Sequence, residues 1–113
     1  MKRWMVMACA VAFGGAVVSC MAADVASSKN KPYEVAIQNF AFSPKTITVR
    51  AGTRVVWANR DEEPHTVTSA GNQFTSSKAL DSGDIYATTF SKPGTYTYYC
   101  SIHPMMVGTI IVQ

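Results

Sequence analysis

The chain contains only two histidines, and both lie in short segments rich in possible metal donors. His65 sits in Glu62-Glu63-Pro64-His65-Thr66-Val67. The second segment, Cys100-Ser101-Ile102-His103-Pro104-Met105-Met106, places a thiol, an imidazole and two thioethers within one short loop. Thiolate, imidazole and thioether are soft-to-borderline donors, a set that selects copper over hard cations. Cys100 and His103 are three residues apart, a spacing that one tight turn can bring to a point. His65 must arrive from elsewhere, near the end of an adjacent strand. Two histidines and a cysteine with a weak axial methionine make an electron-transfer copper site. Taken singly, the residues have plainer explanations: a histidine that caps a strand, a cysteine buried in packing, methionines that fill a core. Those explanations do not account for both histidines, the cysteine and the methionine pair sharing these positions. The two methionines are adjacent, so in an extended chain one points inward and the other outward.

The elements that position these donors follow an N-terminus of different character. Residues 1–22 read as a cleaved signal peptide: Lys2 and Arg3, an uncharged stretch from Trp4 to Val18, then small residues. Cys20 and Ala22 fit ordinary cleavage, with a mature start near Ala23. Val17-Val18-Ser19-Cys20 also resembles a lipobox, which would leave a lipid anchor on Cys20. Either route places the protein in the periplasm. It also leaves Cys100 as the sole cysteine of the folded domain, so a disulfide within the mature chain is excluded. Residues 23–32, ending in Ala-Ser-Ser-Lys-Asn-Lys-Pro, form a polar, flexible leader.

From residue 33 to 113 the pattern is strand after strand. Val35 and Ile37 alternate with polar or small neighbours, and Phe40 and Phe42 continue one residue out of step, which predicts a bulge. Ser43-Pro44-Lys45 turns the chain. Ile47 and Val49 share a face, as do Val55 and Trp57 after the Ala51-Gly52 turn. His65 is expected to open a short strand through Ser69, before a long irregular stretch from Ala70 to Gly83. Tyr86, Thr88 and Phe90 face one way, Lys92-Pro93-Gly94 is a turn, and Tyr96, Tyr98 and Cys100 align. Ile110 and Val112 close the pattern. No segment holds helical spacing. Six or seven short strands predict an all-β, Greek-key antiparallel β-sandwich.

The chain resembles the small type 1 blue copper proteins, the cupredoxins, and among them the amicyanins most closely, with pseudoazurin and plastocyanin as relatives. Residues 33–113 carry the resemblance, through Asn39-Phe40-Ala41-Phe42-Ser43-Pro44, Gly52-Thr53-Arg54-Val55-Val56-Trp57, Pro64-His65-Thr66-Val67 and Pro93-Gly94-Thr95-Tyr96. The Cys-x2-His-x2-Met loop matches the short ligand loop of amicyanin. The resemblance implies one copper per chain, held by His65, Cys100, His103 and Met106. It puts Met105 at an exposed position, in an apolar rim with Pro104 and Ile102 around His103. It also implies a monomer that shuttles single electrons through His103 between transient partners, with a dehydrogenase as donor and a c-type cytochrome as acceptor. One position departs from the family: Thr66 stands where an Asn usually ties the two ligand loops together.

The composition excludes other roles. A net charge of +3 without a basic stripe does not support nucleic-acid binding. Two histidines cannot build the second copper site of a nitrite reductase or multicopper oxidase, so the chain is not expected to be an enzyme. The competing reading is a periplasmic copper carrier, although the Met-rich or His-rich tracts common in such proteins are missing.

Overall fold

The computed structural model describes residues 31–113. The expected signal peptide, the Cys20 alternative and nearly all of the leader lie outside the described residues. Alternating apolar residues become eight strands: β1 (Tyr33–Ile37), β2 (Phe42–Ser43), β3 (Thr46–Val49), β4 (Thr53–Asn59), β5 (Thr68–Ser69), β6 (Ile85–Phe90), β7 (Gly94–Tyr99) and β8 (Val107–Val112). They form two four-stranded sheets, ordered β2-β1-β4-β6 and β3-β8-β7-β5. Neighbours in each sheet are often distant in sequence, as a Greek-key sandwich requires. The count exceeds the expected six or seven because β2 and β5 have two residues each, too few to show alternation.

The sheets are mixed, which corrects the expectation of antiparallel pairing throughout. β1 runs parallel to β4, with Tyr33 opposite Val55 and Ile37 opposite Asn59. β3 runs parallel to β8, with Thr46 opposite Thr109 and Val49 opposite Val112. After the β1–β2 hairpin the chain crosses to the other sheet as β3, then returns as β4 beside β1 and in its direction. Alternation reports which face is buried and is blind to strand direction.

The core lies between the sheets. Val35, Ile37, Val55, Trp57 and Phe90 come from one sheet, and Ile47, Val49, Tyr98, Ile110 and Val112 from the other. Fully burying each large aliphatic side chain contributes about 1.5–3 kcal/mol. Trp57 sits at the centre, edge-on to Tyr98 at 5.3 Å between ring centroids and parallel to Phe74 at 6.3 Å. Tyr98 crosses directly over its strand partner Gly108, where a Cβ would overlap the phenol ring. Only glycine fits there.

Two local expectations change. The shift of register at Phe40 comes from a two-residue hairpin turn rather than a bulge. Asn39 and Phe40 both have left-handed backbones (φ 55° and 56°), and Gln38 and Ala41 exchange both backbone hydrogen bonds around them. This is the primed turn that matches strand twist. His65 does not begin a strand: it makes a lone bridge to Leu80, and pairing resumes only at Thr68. The expected Ala51-Gly52 turn is present, with Gly52 at φ 93°.

Candidate metal centre

β4 and β7 both run toward one end of the sandwich, and the loops that follow them carry the donors. After β4, Asn59 is buried and its side-chain amide donates to the carbonyls of Glu63 and Leu80, each at 2.9 Å. Those bonds fold the charged loop back on the sandwich. His65 then bonds Leu80 through both backbone groups and is fully buried. After β7, Cys100 donates its N–H to the carbonyl of Met106 (3.0 Å), and Met106 donates to that of His103 (2.9 Å). These two bonds close the second loop on itself just before β8.

The loops bring three of the expected donors to one point. Cys100 Sγ lies 3.8 Å from His65 Nδ1 and 3.8 Å from His103 Nδ1, and the two nitrogens are 3.2 Å apart. Cys100 and His65 are buried, while His103 is half-buried. The methionines divide as expected, although at the turn closed by the Met106–His103 bond rather than along an extended chain: Met106 is 2% exposed and packs in the core cluster with Cys100, and Met105 is 81% exposed. Ile102 is exposed as well, and so is Pro104.

The donor triangle fits a soft metal ion. All three atoms lie within 4.8 Å of one another, so one ion could touch all three, and thiolate plus two imidazoles is the strong-donor set of a His₂Cys copper site.

Electrostatics favour the ligating forms. Burial by itself pushes the Cys100 thiol up. The Thr66 N–H at 3.3 Å, the His65 ring and the backbone and ring of His103 outweigh it and leave the group at about 6. The pocket is thus built to hold a thiolate. His65 turns Nε2 toward Asp61 Oδ2 at 2.9 Å. A carboxylate accepts, so the ring proton sits on Nε2 and Nδ1 keeps its lone pair for the metal. Asp61 also accepts from the N–H groups of Asn39 (2.7 Å) and Phe40 (2.9 Å). Burial by itself pushes the carboxyl's pKa up, but these three donors prevail and hold it below its usual range.

Thr66 carries out much of the tie expected of the family's Asn. Its hydroxyl accepts the Ser101 N–H at 2.8 Å and lies 3.0 Å from Ser101 Oγ and 2.9 Å from Thr68 Oγ1. One donor and two lone pairs are fully used, so the two ligand loops are bound together. Its own N–H remains on the thiolate.

Asp61, Asn59 and Phe40 are site residues that sequence reasoning missed. Phe40 lies edge-on to both imidazoles, at 5.3 Å from His65 and 5.1 Å from His103 between centroids. A left-handed backbone at an aromatic residue costs on the order of 1–3 kcal/mol. The available clue was Asn39, a residue type common in primed turns.

Comparisons with known proteins agree with this geometry. Residues 7–112 match the family described as "Cupredoxin-like domain". Amicyanin-alpha of Methylorubrum extorquens is 32% identical over 84 residues, covering 71% of each chain. The Cu(I) form of an amicyanin variant superposes with a TM-score of 0.69 at 29% identity, over 73% of this chain and 82% of that one. A copper-containing nitrite reductase from Thermus scotoductus superposes equally well, with a TM-score of 0.69 at 33% identity over 74% of this chain, but the match spans 22% of that enzyme. Profile, sequence and superposition agree with the donor triangle: the chain belongs to the cupredoxin-like domain family.

Proposed function

We propose that the chain is a type 1 copper protein that carries single electrons between transient partners in the periplasm. The supporting observation is the arrangement at one end of the sandwich. A buried Sγ and two Nδ1 atoms converge within 3.8 Å of one another, and one of the two rings is half-exposed. His65, Cys100 and His103 would hold the ion, with Met106 as the axial donor. When bound, copper supplies a one-electron couple, Cu(II)/Cu(I).

The protein's part is to keep the donors still. Cu(I) and Cu(II) prefer different geometries, so a site fixed between them reorganises little. Asp61 fixes the His65 ring, Thr66 ties the loops, and the closed Cys100–Met106 loop holds three of the donors. His103 is the electron port. Ile102, Pro104 and Met105 around it make an apolar rim that can shed water on brief contact, with Phe40 beside the ring. The likeness to amicyanin suggests a dehydrogenase donor and a c-type cytochrome acceptor. Both histidines converge on this one site, so among the described residues none remains for a second, catalytic copper.

The test is spectroscopic. Copper-loaded mature protein is expected to take up one ion, absorb intensely in the orange-red through the Cys100 thiolate, and give reversible one-electron voltammetry. Cys100→Ser is expected to remove the colour and leave a folded β-domain. A colourless wild type that readily gives up Cu(I) would indicate copper delivery instead. The mass of the native N-terminus is expected to show a free end near Ala23 or a lipidated Cys20; an intact Met1 would refute export.

A further inference from the structure

Phe40 is 46% exposed, yet its ring is held edge-on to both candidate imidazole ligands. It occupies a backbone conformation that aromatic residues avoid (φ 56°). Strain of this kind persists only where surrounding bonds enforce it. Here the enforcing group is Asp61, whose two carboxylate oxygens take the N–H groups of Asn39 and Phe40. The same Oδ2 takes the His65 ring proton. One carboxylate therefore locks the turn that carries Phe40 and the ring that Phe40 covers.

We propose that Phe40 is a positioning residue of the metal centre, a latch that keeps the half-buried His103 ring on the ion. The inference rests on the copper reading above. His65 is secured by Asp61 and by its backbone bridge to Leu80. Among the described residues the hydrogen-bond and ring-pair partners of the His103 ring are Cys100, His65 and Phe40, with no carboxylate among them. For His103 to swing off the metal its ring must leave the edge-to-face contact with Phe40. Losing that contact should ease departure of His103 by about tenfold, the size of one aromatic pair. Release of the ion from the reduced protein, which begins with loss of its most accessible ligand, should quicken by the same factor.

The experiment measures transfer of Cu(I) from the reduced, copper-loaded protein to a chromogenic chelator in excess. Phe40→Ala is expected to release copper about tenfold faster than wild type, with Phe40→Leu between them. Ile110→Val, in the core, reports what a general loss of stability does and is expected to release copper at the wild-type rate. In the metal-free protein, Asp61→Asn is expected to speed amide hydrogen exchange at Asn39 and Phe40 without affecting strands β7 and β8. Phe40→Ala releasing copper no faster than Ile110→Val would overturn the latch while leaving the copper reading intact. A wild type that binds no copper would overturn both. Unchanged exchange at Asn39 and Phe40 in Asp61→Asn would overturn the role of the carboxylate in setting the latch.

Discussion

Replacing Thr66 with Val removes one oxygen and keeps the shape, so it isolates the tie between the ligand loops. That oxygen has three partners: the Ser101 N–H, Ser101 Oγ and Thr68 Oγ1. The two hydroxyls can rotate toward water, and their loss is small. The Ser101 N–H is fixed by the backbone and loses its acceptor. A net backbone bond contributes about 0.5–1.5 kcal/mol, and an orphaned donor raises the loss toward 1–3 kcal/mol. Thr66 is 6% exposed, so little water can replace the hydroxyl, and a loss of about 2 kcal/mol is expected. For a domain of this size that corresponds to a melting point lower by roughly 10 °C. The assay is thermal and denaturant unfolding of the metal-free protein, because bound ligand adds its own stabilisation. Thr66→Ser keeps the oxygen and is expected to recover most of the loss. The N–H that reaches the thiolate belongs to the backbone, so the copper-loaded variant should stay blue. A Thr66→Val protein that melts within about 2 °C of wild type, a shift of well under 1 kcal/mol, would show that the hydroxyl does not hold the loops together.

Other consequences can be checked separately. On the proposed assignment Met106→Leu removes a weak donor to Cu(II), so the reduction potential should rise while the blue band largely remains; Met105→Ala, on an 81% exposed side chain, should leave both alone and slow electron exchange with a partner. Should Met105 be the one that moves the potential, the axial assignment is off by one. Gly108→Ala forces the Tyr98 ring out of the core and should cost at least 1–3 kcal/mol, the usual penalty of overpacking, read as a lower denaturant midpoint. In the metal-free protein Cys100 falls from its ordinary 9.0 to about 6. A depressed folded-state value adds stability that is complete above pH 9 and lost as pH falls through 6. The stability gap between wild type and Cys100→Ser should therefore shift in favour of wild type from pH 6 to pH 9; a flat difference would refute the thiolate pocket.

The sequence carried the donors more clearly than their supports. Cys100, His103 and Met106 are local; which of the two adjacent methionines turns inward came from the resemblance to the amicyanin loop, because they part at a turn and not along a strand. Val55 with Trp57, and Tyr98 with Cys100, were equally legible because a half-buried strand shows its inner face every second residue. Asp61 was not: nothing in the sequence sets it apart from its charged neighbours Arg60 and Glu62, and its partners are backbone N–H groups 21 and 22 residues away. Backbone donors leave no mark in a sequence. Phe40 was seen but misplaced, since a bulge and a two-residue turn both shift the register by one. The parallel pairing of β1 with β4 was invisible for a related reason, because side-chain alternation is identical in either direction.

That strand direction has a practical consequence. β8 leaves the donor loop at Val107, and its last residue, Val112, pairs with Val49 at the opposite end. Gln113 is fastened there by hydrogen bonds with Ala51 and Val49. Six residues of strand at about 3.3 Å each put about 20 Å of sandwich between Gln113 and the metal loops. A protein wired to an electrode through a linker at position 113 would therefore stand with His103 facing the solution. It would exchange electrons poorly with the surface that holds it and freely with whatever diffuses past. Anchoring through the Met105 rim would reverse both rates, so the same molecule can serve as a terminal or as an insulated reporter according to which end is tethered.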